Sequence, residues 1–121
     1  MKLLLVEDDP EIQLVARLAL KRAGFLVSTA DSGAEALASV NSDPPSVILL
    51  DWMMPDMEGP EVCERLKDDP ATRTIPVIFM TARSQQAEIE RGLALGAAGF
   101  IHKPFDALAL GERVRQILNQ R

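Results

Sequence analysis

Ser46-Val47-Ile48-Leu49-Leu50-Asp51 is an unbroken apolar run that ends on an acid, and the turn-forming stretch Trp52-Met53-Met54-Pro55-Asp56 follows it. A strand buried on both faces reads this way, because helices cover both sides of a parallel sheet. Its final acid then lies at the carboxyl end of the sheet, where ligands of open α/β folds gather. Working outward from Asp51, comparable runs occur at residues 2–6, 25–30, 77–80 and 99–102, with 47–50 as the central one, and every gap carries a helical pattern.

In the first gap Ile12, Val15, Ala16, Ala19 and Leu20 recur at helical spacing, with Asp9 as N-cap, Pro10 in the first turn and Gly24 past the end. Further helices are predicted over residues 33–40, 60–67, 84–95 and 107–120. Within the last, Gly111 costs about 1 kcal/mol relative to alanine, which the Leu110, Val114, Ile117 and Leu118 stripe offsets by packing. Strand–helix–strand units return in parallel through right-handed crossovers, so the expected fold is α/β, an open five-stranded parallel sheet with five helices on its two faces. Acids ending strands one and three meet only if those strands are neighbours, as in the flavodoxin-like, doubly wound order 2-1-3-4-5.

The length of 121 residues fits one domain, residues 1–121, without repeats, linkers or low-complexity segments. Cys63 is the only cysteine, which excludes an internal disulfide and predicts a semi-buried thiol in a reducing compartment. Leu3-Leu4-Leu5-Val6 imitates a signal peptide, but Glu7 interrupts it short of the ~7–15 apolar residues such a segment needs. No apolar stretch approaches the roughly 20 residues of a membrane span, so a soluble, cytoplasmic protein without a membrane partner is expected. The net charge of -5 argues against direct binding of nucleic acid, since phosphate contacts need clustered Lys and Arg.

Glu7, Asp8 and Asp9 end the first strand as Asp51 ends the third, so several carboxylates converge on one rim. Like charges at close range raise one another's pKa, and a hard, oxygen-seeking cation relieves the conflict. Magnesium is the natural ion, with manganese as a substitute; Asp8 and Asp51 suit direct ligation, Glu7 ligation through water, and Asp9 the helix cap. Thr81 brings a hydroxyl to the end of strand four and Lys103 an ammonium to the end of strand five. Taken singly, a strand-end lysine is usually solvated and a threonine a cap. Together the four strand ends hold what phosphoryl transfer needs: Asp51 as nucleophile, Thr81 and Lys103 for phosphoryl oxygens, and a small Ala82 that leaves the pocket open.

Leu5-Val6-Glu7-Asp8-Asp9, Leu50-Asp51-Trp52-Met53-Met54-Pro55, Thr81-Ala82 and Lys103-Pro104-Phe105 stand in the order and spacing of one family. Over its whole length the chain resembles the receiver domain of bacterial two-component response regulators. The resemblance implies phosphorelay signalling, in which Asp51 accepts a phosphoryl group from a sensor histidine kinase or a histidine phosphotransfer protein. It places magnesium between Asp8, Asp51 and the Met53 backbone carbonyl, with Glu7 outside the first ligand sphere. Lys103 would contact the phosphoryl group, Thr81 would move toward it, and Phe100 would turn inward. That movement would switch the surface of helix four, strand five and helix five for a downstream effector or a tethered output domain; the competing reading of Phe100 is an ordinary core aromatic. Such a domain assists its own phosphorylation and dephosphorylation but turns over no external substrate. A phosphorylation-dependent dimer is a further expectation. Gly96-Ala97-Ala98-Gly99 lacks the acids that symmetric salt-bridged dimers use there, although Arg91, Arg113 and Arg115 remain for such a face.

His102 alternates with Lys103 along the strand and is read as a packing residue rather than a metal ligand. Leu14 and Leu18 fall off the main stripe of the first helix, where they either dock a kinase helix or widen the core contact. Three other functions compete. A haloacid-dehalogenase-type phosphatase expects a second acid two residues after the nucleophile, where this chain has Met53. A pseudo-receiver typically lacks part of the acid and lysine set, which is complete here. A flavodoxin-like cofactor carrier wants a Ser/Thr/Gly-rich phosphate loop after the first strand, and none follows.

Overall fold

The apolar runs form parallel strands β1 (Lys2–Val6), β2 (Leu26–Ala30), β3 (Val47–Asp51), β4 (Val77–Thr81) and β5 (Gly99–His102) in a computed structural model that describes residues 1–82 and 86–120. Helices α1 (Pro10–Arg22), α2 (Gly33–Ser42), α3 (Gly59–Asp68), α4 (Gln86–Ala94) and α5 (Leu110–Asn119) alternate with them. The sheet order is β2-β1-β3-β4-β5, as the meeting of the two acidic strand ends requires. Val6 pairs with Leu50, so Glu7 and Asp51 follow side by side. Thr81 pairs with His102, which brings Lys103 to the same rim.

Strand alternation divides the core in two. Leu4, Val6, Ile48, Leu50, Val77 and Phe79 face a layer that includes Ala36 and Val40 of α2 and Val62 and Leu66 of α3. Leu3, Leu5, Leu49, Ile78 and Met80 face the opposite layer, which holds Ala16 and Leu20 of α1 and Val114 and Ile117 of α5. Every residue of β3 and β4 is buried, which explains why these strands read as continuous apolar runs. Both extend one residue beyond the apolar run, so Asp51 and Thr81 are themselves the last strand residues.

α1 is capped as expected, the Asp9 carboxylate accepting from the Glu11 and Ile12 backbone N–H groups at 2.9 and 3.3 Å. Its buried stripe is narrower than predicted. Ala16 and Leu20 are buried, whereas Val15 faces outward with Leu14 and Leu18, each about half exposed. α5 begins at Leu110 rather than at 107, because Asp106 folds residues 107–109 into a turn by accepting from Leu108 and Ala109. Gly111 therefore sits in the first turn, where a Cβ would overlap that of Ala23. The glycine is what lets α5 approach the end of α1, not a penalty offset elsewhere. The predicted start of the fourth helix at Ser84 lies outside the described residues.

Two further expectations change. Cys63 is fully buried rather than semi-buried, and burial pushes its thiol up to about 11, which suppresses the reactive thiolate. His102 is exposed at the end of the edge strand β5 instead of packed.

Candidate functional site

The carboxyl ends of β1, β3, β4 and β5 surround a cavity of about 280 Å³ lined by Glu7, Asp8, Asp51, Met53, Thr81 and Lys103, among others. The sequence-predicted set is thus brought together by the fold. Ligand oxygens of Glu7, Asp8 and Asp51 all lie within 4.8 Å of one another. Glu7 and Asp51 are buried at 1% and 6% exposure, while Asp8 opens to solvent. A cluster of hard oxygen donors with one solvent-facing member fits a magnesium-sized cation that keeps part of its water shell. The Met53 side chain points outward, half exposed, so only its backbone could contribute.

Lys103 bridges the two buried acids. Its ammonium pairs with Glu7 and lies 3.1 Å from Asp51 Oδ1. Burial pulls the lysine pKa down, but the Glu7 and Asp51 carboxylates outweigh it and hold the group above the ordinary lysine value. Glu7 moves the other way. Burial first, then the hydrogen bond and charge of Asp51, push it up to about 7 despite the pull of Lys103. Two buried carboxylates share one ammonium, and Glu7, the more deeply buried, is the one whose carboxyl is pushed up.

The hydroxyl of Thr81 reaches the rim from a buried residue, and its carbonyl accepts from the Lys103 N–H at 2.8 Å. Behind it, Phe79 packs edge-on against Trp52 with centroids 4.8 Å apart and stacks on Phe100 at 5.7 Å. Phe100 is half-buried and lies over Gly92 of α4, where an added Cβ would strike its ring. Trp52, beside Asp51, therefore meets the aromatic beneath α4 both through Phe79 and directly, its ring centroid lying 6.1 Å from that of Phe100.

Sequence reading missed two tethers. Gln13 Nε2 donates to the Glu7 carbonyl at 2.9 Å and to Asp31 Oδ1 at 2.7 Å, which pins the acidic turn to α1. Asp56 accepts from Gly33 and Ala34 N–H at 3.0 Å each, which pins the loop after β3 to α2. Asp31 lies 18 residues from Gln13 and Gly33 lies 23 from Asp56, and the Glu7 carbonyl, although only six residues from Gln13, is a backbone group that side-chain spacing does not mark. Two of the three arginines expected on a dimer face are engaged within the chain: Arg91 pairs with Glu58 at 3.5 Å, and Arg115 lies over Phe25 and donates to the Ala23 carbonyl.

A profile of the response regulator receiver domain matches residues 3–115. The phosphate regulon transcriptional regulatory protein PhoB of Rhizobium meliloti is 38% identical over 119 residues, covering 98% of this chain and 52% of that protein. Response regulator PleD of Caulobacter vibrioides is 44% identical over 115 residues, 94% of this chain and 25% of its own. Among solved structures, chemotaxis response regulator CheY4 of Vibrio cholerae superposes with a TM-score of 0.90 at 30% identity, covering 96% of this chain and 97% of that one. The receiver domain of a signal transduction histidine kinase from Syntrophus aciditrophicus gives 0.86 at 34% identity, covering 98% and 90%. The chain spans about half the length of the first curated relatives it matches. Four acid-, hydroxyl- and lysine-bearing strand ends on a 2-1-3-4-5 sheet, matched over nearly the whole chain, make this protein a member of the response regulator receiver domain family.

Proposed function

We propose that residues 1–121 act as one phosphoacceptor unit, in which Asp51 takes a phosphoryl group from a phosphohistidine of a sensor histidine kinase or a histidine phosphotransfer protein. The observation that carries this reading is the meeting of Glu7, Asp8 and Asp51 within 4.8 Å, with Lys103 3.1 Å from Asp51. An Asp51 oxygen forms the new O–P bond as the P–N bond to the donor imidazole breaks, and the leaving nitrogen keeps the electron pair. Lys103 already holds an Asp51 oxygen and is placed to follow the charge onto the phosphoryl oxygens. Thr81, on the neighbouring strand, supplies a hydroxyl to the same group.

Asp8, Asp51 and the Met53 carbonyl are the residues to hold magnesium, with Glu7 acting through water. The ion would supply neutralisation of the acid cluster and of the incoming phosphoryl oxygens. When Thr81 engages the phosphoryl group, the space behind it favours an inward Phe100, and the ring carries the change to α4, β5 and α5. The output, a separate effector or a tethered domain, would read that face.

A groove of about 510 Å³ shares Ile12, Ala82 and Lys103 with the site and continues past Val15, Pro104 and Phe105. With Leu14 and Leu18 exposed beside it, this side of α1 suits the phosphodonor's helix. No helix among the described residues is long and apolar enough to cross a membrane, in keeping with a cytoplasmic place of action. A salt-bridged dimer through the arginines loses support, since Arg91 and Arg115 already have partners.

The domain would assist its own phosphorylation and dephosphorylation without turning over an external substrate, because Met53 offers no acid where a phosphatase of the haloacid dehalogenase type needs one. Incubation with acetyl phosphate and Mg2+ should incorporate one phosphoryl group per chain, and Asp51→Ala should lose it. Steady Asp51-dependent hydrolysis of phosphate monoesters would replace this reading with the phosphatase. Incorporation unchanged in Asp51→Ala would remove Asp51 from the reaction.

A further inference from the structure

The loop between β3 and α3, residues 52–58, is fixed firmly at its base. Trp52 N–H donates to the Met80 carbonyl at 2.9 Å and Gly59 N–H to the Trp52 carbonyl at 2.8 Å. A Cβ on Gly59 would run into the Asp51 carbonyl, so the two ends of the loop touch backbone to backbone. Beyond Trp52 the loop turns outward, and Met53, Pro55 and Asp56 are exposed. A long hydrogen bond from Met53 N–H to Asp51 Oδ1, at 3.4 Å, and the packing of Met54 on the core hold its first half, and the contact with α2 holds the rest.

There both oxygens of Asp56 accept from the first two backbone N–H groups of α2, on Gly33 and Ala34, at 3.0 Å each. Such groups have no acceptor within their own helix, and the helix end favours a negative charge. These N–H groups hold the Asp56 carboxyl below its ordinary pKa. Next to it, the Met57 side chain occupies the space a side chain at Gly33 would need. A charged contact and an apolar one therefore dock the loop on α2. The third N–H of the helix, on Glu35, is capped separately by Ser32 Oγ at 3.1 Å.

We propose that Asp56 is a positioning residue for the metal site, latching the 52–58 loop to α2 and thereby fixing the direction of the Met53 carbonyl. A backbone carbonyl has no rotamer of its own; its aim is set by the points between which its peptide is held, here Trp52 and the Met53 N–H bond to Asp51 Oδ1 at 3.4 Å on one side, and the partly buried Met54 and the docked Asp56 on the other. Magnesium accepts little departure from octahedral geometry, so a carbonyl that must be ordered on binding lowers affinity. Outer partners of metal ligands commonly change affinity tenfold or more. The inference rests on the proposed magnesium site, and its test separates the two.

Mg2+ is titrated into the folded protein, read by Trp52 fluorescence and by calorimetry, for wild type, Asp56→Ala, Asp56→Asn and Ser32→Ala. Asp56→Ala should weaken Mg2+ binding about tenfold. Asp56→Asn keeps one acceptor oxygen and should lose less. Ser32→Ala weakens the same helix end without freeing the loop and should bind Mg2+ as wild type does. An Asp56→Ala affinity equal to wild type, or an equal loss in Ser32→Ala, overturns the latch and leaves the metal site standing. If Asp56→Ala does not fold, Asp56→Asn against Ser32→Ala makes the same decision. A wild type that binds no Mg2+ overturns the site itself.

Discussion

Two lysine–carboxylate contacts lie at opposite ends of the sheet and behave differently. At the amino end Lys2 pairs with Asp43, and both side chains are more than half exposed. At the carboxyl end Lys103 pairs with Glu7 and Asp51, where the three side chains are 16%, 1% and 8% exposed. Water screens the first pair, which is worth little. The second is shut in with too many carboxylates, so it stores an imbalance that a proton, a metal ion or a phosphoryl group can change. What separates a surface ornament from a site here is burial and an uneven charge count, not the residue types.

The two pairs should differ most in their response to pH. Glu7 is raised in the folded protein from 4.5 to about 7, so between these values the folded state binds more protons than the unfolded one. Metal-free protein should then lose stability as pH rises from about 4.5 to 7, by at most about 3 kcal/mol, and level off above. Urea denaturation at several pH values checks this, and Glu7→Gln should flatten the curve. Asp56 acts in the opposite sense: its carboxyl is lowered, so its contribution is present above about pH 4 and is lost as pH falls through its folded pKa.

Removing Lys103 comes next. Lys103→Met at pH 8 should cost about 2 kcal/mol, because Glu7 and Asp51 lose their common counter-charge. The cost should shrink at pH 5, where Glu7 carries a proton. Smaller again is the coupling to metal. If the acid cluster holds Mg2+, the ion competes with the proton on Glu7, and its affinity should rise about tenfold between pH 6 and 8, measured by calorimetry. Smallest is Lys2→Met, expected within about 0.5 kcal/mol at any of these pH values.

The fold was legible because β3 and β4 are buried on both faces and so spell continuous apolar runs, and because Asp9, Pro10 and Gly24 punctuate α1 by local chemistry. The site was legible because its residues come from strand ends, which the pairing order brings together. What stayed hidden depends on partners that the local pattern does not mark, either distant in sequence or offered by the backbone. Asp56 reads as a turn residue until α2 lies beside it, and Gln13 as a surface amide until the Glu7 carbonyl comes within reach. Val15 follows the helical period yet is exposed, since periodicity does not tell how wide a stripe the sheet will cover. His102 alternates correctly along β5, but an edge strand leaves its last residue uncovered. Gly111 reads as a cost while the helix is taken to start at 107, and the close approach of Ala23 carries no local signal.

If Asp51 carries the phosphoryl group, the acyl phosphate can be located chemically. Protein treated with acetyl phosphate and Mg2+ is trapped with borohydride, which reduces an acyl phosphate, and the modified peptide is sequenced by mass spectrometry. Modification at residue 51 alone, requiring Mg2+ and absent from Asp51→Asn, is the predicted result. Modification at Asp8 or Glu7 in the wild type, or none where phosphate is nonetheless bound, would contradict it.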